Sequence, residues 1–405
     1  MSDKPEPQDP KIARLVAQAR ASQLTRRTFV AGAGSATLLA VLAACTPGGG
    51  GKTLTAATDV SDSERTLSWA NWPYYIDQDE SGAYPTIDMF EQLTGIEVTY
   101  EEAIPTNEEF YAKVKDGLLL GQDIGYDLVT LTDYFAARMV SQGLMQPIGL
   151  GDMPNAKNNL NPGLLDMTYD PGRQFSLPWQ SGMTGLGWST KAFPNGLSSL
   201  EELWDPALKG KIAVLDQWTD TMALILQSQG VDIDSAWGES EYGAAIEVLE
   251  KQVQDGQIRA FTGNDYTELF KSGDIVAAVA WSGDIFIMNT EAGADDYGFA
   301  IPDEGGYLWS DNFMVPMGAR HKGNAQELMD FYYQPEVAAE VAAYVNYITP
   351  VAGAQEAMQA IDPALAENPL IFPDAETLER ALAFRQISLE EDKSYSAQFE
   401  KAKVG

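Results

Sequence analysis

The chain has 405 residues and a formal net charge of −33, with 59 acidic and 26 basic side chains. So acidic a chain is unsuited to nucleic acid, because binding to phosphates requires basic side chains that displace counterions; its field favours cationic ligands instead. Hydrophobic residues make up 45% of the chain, and a chain of this length is expected to form two domains.

The N-terminus has the features of an export signal. Arg26 and Arg27 precede an apolar run over residues 30–44, a pattern typical of a twin-arginine signal. The run is too short and too rich in small residues to cross a membrane, which takes about 20 strongly apolar residues. We therefore expect residues 1–44 to be a cleaved signal and the rest of the chain to be exported.

The signal ends in Leu-Ala-Ala-Cys, which resembles the lipobox of bacterial lipoproteins, where cleavage precedes a cysteine that is then lipidated. That cysteine, Cys45, is the only one in the sequence, so an internal disulfide is impossible. The glycine-rich and polar residues that follow predict a flexible tether over residues 45–64. The sequence thus predicts a domain held by acyl chains on the outer face of the cytoplasmic membrane.

From residue 66 onward, short apolar strands alternate with amphipathic helices. This alternation is typical of an α/β protein with an open, largely parallel sheet. The capping-box pair Thr106 and Glu109 opens one of the helices, and Gly95 ends another. The predicted strands are residues 66–72, 96–100, 126–132, 211–216 and 275–281, and later helices cover residues 244–253 and most of 378–403.

Aromatic, hydroxyl and carboxylate side chains recur where the predicted strands end. In open parallel sheets the ligand lies beyond the carboxyl ends of the strands. A single tryptophan at such a place is usually packing, but the same chemistry at four strand ends favours a binding site. The residues concerned are Trp72, Tyr75, Thr132, Asp133, Tyr134, Asp216, Trp281 and Asp284.

Several kinds of catalytic site cannot be assembled from this sequence. His321 is the only histidine, and no cysteine follows Cys45, so the usual zinc ligands are missing. The sequence contains neither a Gly-x-Ser-x-Gly elbow nor a dinucleotide fingerprint. We therefore expect no metal and no cofactor, and favour a binding protein over an enzyme. An exported carbohydrate-active enzyme with paired carboxylates stays open as an alternative, because Asp and Glu are abundant.

A cleft lined by aromatic rings and carboxylates suits an alkyl chain with ammonium ends. Ring faces cover methylene groups and attract the cation, at about 0.5–2 kcal/mol per contact. Carboxylates accept charge-assisted hydrogen bonds from ammonium protons. The residues at the strand ends therefore indicate an organic cation of this kind as the ligand.

A series of short motifs supports this interpretation. In their order and spacing over the chain from residue 66 to the C-terminus, they resemble the spermidine/putrescine-binding proteins of bacterial ABC importers. The motifs are Asn71-Trp72, Leu93-Thr94-Gly95-Ile96, Tyr126-Asp127-Leu128-Val129, Glu304-Gly305-Gly306, Trp309-Ser310-Asp311, Tyr347-Ile348-Thr349-Pro350 and the run over residues 372–377.

The resemblance implies a type II periplasmic-binding fold, in which two α/β lobes close on a ligand held in the cleft between them. Lobe 1 would comprise residues 65–178 and 304–355, and lobe 2 residues 179–303 and 356–405. We expect a monomer that captures a polyamine and presents it to a membrane permease and ATPase. The choice between spermidine and putrescine stays open, as does the same fold with another cationic or small organic solute.

The resemblance also assigns binding residues. Thr132 falls at a hydroxyl-donor position and Gln386 at a C-terminal glutamine, while Asp133 adds a carboxylate where the family is often neutral. Two positions depart from the family. Pro73 stands where the family usually has a polar residue, and Gln217 stands where a spermidine-type member has an aspartate. The implied aromatic box is Trp72, Tyr75, Tyr134, Trp281, Trp309 and Tyr347, and the implied cation-holding carboxylates are Asp220, Asp284 and Asp311.

Overall fold

The computed structural model describes residues 54–167, 169–385 and 387–404. Its strands fall into the α/β alternation that the sequence predicts. In chain order they are β1 (Thr66–Asn71), β2 (Glu97–Glu102), β3 (Leu128–Thr132), β4 (Asp166–Met167), β5 (Asp170–Pro171), β6 (Ser176–Ser189), β7 (Ile212–Leu215), β8 (Ile258–Thr262), β9 (Ala277–Trp281), β10 (Tyr297–Ala300), β11 (Gly306–Met314) and β12 (Ala381–Leu382).

Helices connect these strands and cover the sheet. Short 3-10 helices also occur, at Leu150–Asp152, Pro162–Leu164, Leu200–Trp204 and Pro206–Leu208. The α-helices are α1 (Pro85–Thr94), α2 (Asn107–Leu120), α3 (Asp133–Ser141), α4 (Pro154–Asn159), α5 (Trp218–Ser228), α6 (Glu239–Gln254), α7 (Tyr266–Ser272), α8 (Ser282–Ala292), α9 (Lys322–Tyr332), α10 (Pro335–Val345), α11 (Ala354–Ile361), α12 (Pro363–Ala366), α13 (Ala375–Arg380) and α14 (Leu389–Lys403).

The main sheet has the strand order β2-β1-β3-β11-β6-β9-β7-β8. We call β2-β1-β3 the first parallel unit and β9-β7-β8 the second, because the strands within each run parallel. Two longer antiparallel strands, β11 and β6, lie side by side between the units. Outside this order, β10 pairs with β6 and β12 with β11. The sheet therefore runs without a break from one unit to the other.

Local sequence explains where these elements begin and end. Strands β3, β7 and β9 are buried along their whole length, as expected of parallel strands covered on both faces. Helix α1 starts at Pro85 and ends before Gly95, whose φ of 74° suits glycine. Helix α2 starts where Thr106 accepts a hydrogen bond from the Glu109 backbone N–H at 3.1 Å. The hydroxyl half of the predicted capping box is thus confirmed.

The C-terminal region differs from the prediction of a mostly helical stretch over residues 378–403. Helix α13 stops at Arg380, and β12 follows at once, pairing in parallel with Gly306 and Tyr307 of β11. The next helix starts only at Leu389. The break arises because buried Ala381 completes an edge of the sheet, a tertiary contact that helical periodicity does not reveal.

Part of the predicted tether is folded. Residues 54–64, which we call the N-terminal strap, lie along the body of the protein. The backbone N–H groups of Ala57 and Val60 donate to the carbonyl oxygens of Met317 and Arg320, both at 2.8 Å. The prediction of a flexible tether is therefore wrong for the strap. The rest of the predicted tether lies outside the described residues.

The hydrophobic core is rich in aromatic rings on both sides of the central strands. In the first parallel unit the buried ring of Trp69 contacts Tyr100 and Trp179, with centroids 4.9 and 5.4 Å away. Among the helices, the ring of Tyr242 of α6 stacks on Tyr395 of α14, with centroids 4.1 Å apart. No helix in the described part of the chain combines the length and apolarity needed to cross a membrane.

Candidate functional site

A cavity of about 400 Å³ opens where strands of both parallel units end. It lies at the carboxyl ends of β1, β3, β7, β8 and β9, the edge at which the sequence predicts ligand contact. Strand β11 and the segment after α10 complete the wall. The lining residues are Trp72, Pro73, Tyr75, Thr132, Gln217, Asp220, Asn264, Trp281, Asp284, Trp309, Asp311 and Tyr347.

Most of the residues proposed from the sequence meet in this cavity. They are Trp72, Tyr75, Thr132, Asp220, Trp281, Asp284, Trp309, Asp311 and Tyr347. Pro73 and Gln217, noted as departures from the family, also line it. The sequence analysis missed Asn264 because it did not predict β8. Asn264 follows β8 by two residues, so a correct prediction of this strand would have placed it among the strand-end residues. Cys45 and Gln386 lie outside the described residues, and Asp216 does not line the cavity.

Asp133 and Tyr134 do not line the cavity, although the sequence proposes both. Helix α3 begins at Asp133, and its carboxylate turns toward β11, where Oδ1 accepts a hydrogen bond from Asn312 Nδ2 at 2.8 Å. Tyr134 points behind the cavity wall and donates through Oη to Glu108 Oε1 at 2.8 Å. It touches the site indirectly, because Gln217 Nε2 donates to its Oη at 3.4 Å. A strand-end position alone does not fix the direction of a side chain.

Five aromatic rings form a continuous wall around the cavity. Trp72, from the first parallel unit, faces Trp281, from the second, with ring centroids 6.5 Å apart. Trp281 lies 6.4 Å from Trp309 of β11. The ring centroid of Tyr347 lies 5.4 Å from that of Trp309 and 5.3 Å from that of Tyr75. The wall presents ring faces and edges from both units, which suits an alkyl ligand with cationic ends.

Two glycines make room for these rings. A Cβ atom on Gly182 of β6 would overlap the ring of Trp309 and lie 2.7 Å from Cδ1 of Tyr347. A Cβ atom on Gly283, at the start of α8, would lie 2.5 Å from Cε2 of Tyr347. Both distances are well below van der Waals contact. The rings therefore reach the cavity only because neither position carries a side chain.

Asp220, in the first turn of α5, is buried and lines the cavity. Its Oδ1 accepts hydrogen bonds from Trp281 Nε1 at 2.8 Å and from Thr184 Oγ1. Its Oδ2 lies 3.2 Å from Thr219 Oγ1. Burial raises the pKa of Asp220 to about 6, although these hydrogen bonds oppose the shift.

Asp284 occupies the corresponding first turn of α8. Its Oδ2 accepts hydrogen bonds from Asn264 Nδ2 at 2.8 Å and Tyr266 Oη at 2.9 Å, and its Oδ1 accepts one from Tyr347 Oη at 3.1 Å. Tyr266 also accepts the backbone N–H of Trp281 at 3.1 Å, which fixes the turn that carries Asp284. Burial raises the pKa of Asp284 to about 6, against the effect of these donors.

Asp311 comes from β11, opposite Thr132 of β3. Its buried Oδ1 accepts no hydrogen bond from the described residues, and the same is true of the buried hydroxyl of Tyr75. Burial raises the pKa of Asp311 to about 7. A buried carboxylate oxygen without a partner is costly. A ligand N–H group would remove that cost.

The ionisable side chains with a charged form near neutral pH that line the cavity are all acidic. Among the described residues that line it, three are Asp and none is Lys or Arg. The described part of the chain contains no group of three or more His, Cys, Asp or Glu side chains that could hold a metal ion. A cavity with these side chains can bind an organic cation through carboxylates and ring faces.

Comparison with known proteins identifies the family of this chain. Residues 85–373 match the sequence profile described as bacterial extracellular solute-binding protein. The chain belongs to that family. Its fold is that of the type II periplasmic binding proteins, with the two α/β parts and the intervening cavity that the resemblance implies. This confirms the fold class predicted from the sequence.

Individual relatives cover most of the chain. It is 28% identical over 319 residues to the spermidine/putrescine-binding periplasmic protein of Escherichia coli K12, covering 78% of this chain and 86% of that protein. It is 29% identical over 330 residues to the putrescine-binding periplasmic protein PotF of the same organism, covering 77% and 84%. A solved structure from Listeria monocytogenes, provisionally assigned to a spermidine/putrescine ABC transporter, aligns with a TM-score of 0.73 at 27% identity, covering 84% and 99%.

Proposed function

We propose that this protein captures polyamines such as spermidine and putrescine outside the cell and delivers them to an ABC importer. The observation that carries the proposal is the cavity itself, where Asp220, Asp284 and Asp311 are buried among five aromatic rings without a basic side chain in the described lining. The names of the Escherichia coli relatives support the same ligand class. The function is capture and release, without chemical change of the ligand.

The proposal favours polyamines over zwitterionic solutes. An amino acid or a sugar acid brings a carboxylate, and the described lining offers no Lys or Arg to pair with it. An uncompensated charge in a buried site is strongly unfavourable. A chain of methylene groups that ends in ammonium groups meets carboxylates at its ends and ring faces along its length.

Calorimetric titration with spermidine and putrescine tests this function. We expect tight binding of at least one of them, and no measurable binding of 1,4-butanediol, which has the chain of putrescine with hydroxyl ends. Mass spectrometry of the mixture should return the amine unchanged, whereas turnover of a carbohydrate would favour the enzyme alternative. Failure of both amines to bind would overturn the proposed function.

The proposal includes the lobe arrangement and the partners that follow from it. Lobe 1 would comprise residues 65–178 and 304–355, and lobe 2 residues 179–303 and 356–405, with the cavity between them. A monomer that closes on its ligand would present one composite surface to a permease and its ATPase. Contacts such as the ion pair between Arg138 and Asp392, at 3.5 Å, would then form as the lobes close.

We further propose that Cys45 is lipidated and anchors the protein to the outer face of the cytoplasmic membrane. Replacement of its thiol, as in Cys45→Ser, should move the mature protein from the membrane fraction to the soluble exported fraction. Arg26→Lys with Arg27→Lys should block export if the twin-arginine route is used. Unchanged fractionation of Cys45→Ser would contradict the anchor, and normal export of the double lysine variant would favour the general secretory route.

A further inference from the structure

Gln217 carries a buried hydrogen-bond acceptor that none of the described residues satisfies. Gln217 is 3% exposed and lines the cavity, and its Oε1 has no hydrogen-bond partner in the described part of the chain. Among the described lining residues, Tyr75 Oη and Asp311 Oδ1 are the other buried side-chain atoms in this condition. A buried acceptor without a partner is costly, so each of these atoms marks a place where a ligand can contribute a hydrogen bond.

A polar network behind the cavity wall determines what Tyr134 can offer to Gln217. Asn107 Oδ1 accepts the backbone N–H of Thr132 at 3.3 Å, and a backbone N–H can only donate. Asn107 Nδ2 is therefore the group that faces Tyr134 Oη, at 3.3 Å. Tyr134 has one hydroxyl proton, which it donates to Glu108 Oε1 at 2.8 Å. Its Oη can thus only accept hydrogen bonds from its other neighbours.

This network fixes which end of the Gln217 amide faces Tyr134. Nε2 of Gln217 donates to Tyr134 Oη at 3.4 Å. A flipped amide would place Oε1 against an oxygen that has no proton left to donate. Oε1 therefore points away from Tyr134. Because Tyr134 follows β3 of the first parallel unit and Gln217 follows β7 of the second, the contact that orients the amide forms only where the two units meet.

Resting on the proposed function, we propose that Glu108 and Tyr134 orient the Gln217 amide so that its Oε1 accepts a hydrogen bond from an N–H group of the bound polyamine. Gln217 is then a neutral binding residue, which accepts from an ammonium group without adding to the negative charge of the three lining carboxylates. Glu108 and Tyr134 are positioning residues, because they lie outside the cavity lining and act on the ligand through Gln217.

Two substitutions separate contact with the ligand from contact with Tyr134. Gln217→Met has a similar length and removes the whole amide, whereas Tyr134→Phe removes only the hydroxyl that orients it. Calorimetric titration with spermidine and putrescine measures both variants. For the amine that the parent binds more tightly, we expect Gln217→Met to weaken binding by about tenfold or more. Tyr134→Phe should weaken it by about two- to threefold, because an amide that samples both orientations still presents Oε1 part of the time.

The double variant and the size of each loss decide the outcome. Adding Tyr134→Phe to Gln217→Met should cause no further loss of affinity, because no amide is left to orient. Equal losses in the two single variants would overturn the inference, since both remove the hydrogen bond between Nε2 and Oη and only that bond would then matter. Affinity of Gln217→Met equal to that of the parent would also overturn it. If neither amine binds the parent, the proposed function itself fails.

Gln217→Glu is the matched control, because it keeps the length of the side chain and an oxygen acceptor but has no N–H group for Tyr134. Since a carboxylate accepts strongly from an ammonium group, we expect this variant to bind the same amine at least about tenfold more tightly than Gln217→Met. If Gln217→Glu and Gln217→Met weaken binding by the same factor, the acceptor role of Gln217 is contradicted, whatever the affinity of the parent.

Discussion

Gly182 shows how a residue without a side chain shapes the ligand cavity. It lies in β6 beneath Trp309 and Tyr347, and its missing Cβ is what lets both rings approach the strand. The indole of Trp309 is held in place by its Nε1–H, which donates to Thr184 Oγ1 at 3.0 Å. The ring wall therefore depends on this position as much as on the rings.

The substitution Gly182→Ala should damage the cavity. The added methyl group must displace the Trp309 ring, so we expect polyamine affinity to fall at least about tenfold and the free energy of unfolding to fall by about 1–3 kcal/mol. Calorimetry and chemical denaturation measure the two effects.

Gly243→Ala is the matched control for this substitution. Gly243 lies within α6, and a Cβ there meets no atom within 4 Å. Alanine in a helix interior is expected to stabilise by up to about 1 kcal/mol relative to glycine, with ligand affinity unchanged. If Gly182→Ala binds polyamine as tightly as the parent protein, Trp309 is not part of the ligand wall.

At the residue scale, the sequence predicts the chemistry of the site better than the direction of each side chain. Trp281 and Asp284 could be found because they follow an apolar strand, and ligand sites lie at strand ends. Tyr134 also follows a strand, yet it turns to Glu108 behind the wall. Its direction is set by a partner 26 residues earlier in the chain, which a strand-end pattern does not encode.

At the scale of elements, the N-terminal strap is fastened to α9 by a charged cluster. His321 precedes α9, and its ring lies between two carboxylates, with Nδ1 3.0 Å from Asp127 Oδ2 and Nε2 3.2 Å from Glu64 Oε2. Glu64 belongs to the strap and Asp127 to the segment before β3. Protonated His321 can therefore hold two separate segments together.

The contribution of His321 to stability should decrease as pH rises. Burial lowers the pKa of His321, but hydrogen bonds to Asp127 and Glu64 outweigh it, so the net shift is upward. A raised folded pKa gives stability that is fully present below the unfolded value of about 6.5 and is lost as pH rises through the folded value. We expect about 1 kcal/mol, measured as the difference in unfolding free energy between the parent and His321→Gln.

The comparison needs the variant at each pH, because buried carboxylates also titrate. The free energy of unfolding of the parent should exceed that of His321→Gln by the largest amount below about pH 6.5. This difference should shrink in alkaline buffer. Since the chain has one histidine, a single imidazole resonance reports its pKa directly. A difference that grows with pH would contradict the ion-pair role of His321.

Element prediction fails where pairing is long-range. The parallel strands β1, β3 and β7 are short apolar runs and could be predicted. Strand β6 spans 14 residues and includes three glycines and a proline, a composition that local propensity assigns to loops. It is a strand because β11, β9 and β10 pair with it, and those partners lie far along the chain.

At the scale of the whole molecule, contacts outside the cavity also join the two parallel units. Tyr134, after β3, lies 6.0 Å from the ring of Trp218, after β7. Arg138 of α3 pairs with Asp392 of α14 at 3.5 Å. A ligand that bridges the carboxylates and rings of both units adds to these contacts. Binding should therefore stabilise the complete fold and not one unit alone.

This coupling predicts a single shifted transition on unfolding. Polyamine at 100 times its dissociation constant should raise the free energy of unfolding by about 2.7 kcal/mol, with a smaller radius of gyration in solution scattering. 1,4-Butanediol at the same concentration should change neither quantity. Two transitions, of which the amine shifts only one, would show that the ligand binds one unit without engaging the other.

The position of β11 has a consequence for synthesis of the chain. Strand β11 is inserted between β3 and β6, although it follows β6 by more than a hundred residues. While the ribosome is still making the middle of the protein, β3 and β6 each expose an unpaired edge, which is prone to pair with other chains. A nascent fragment that ends between residues 190 and 305 thus carries an open edge on each of β3 and β6, and only the last quarter of the sequence can close these edges.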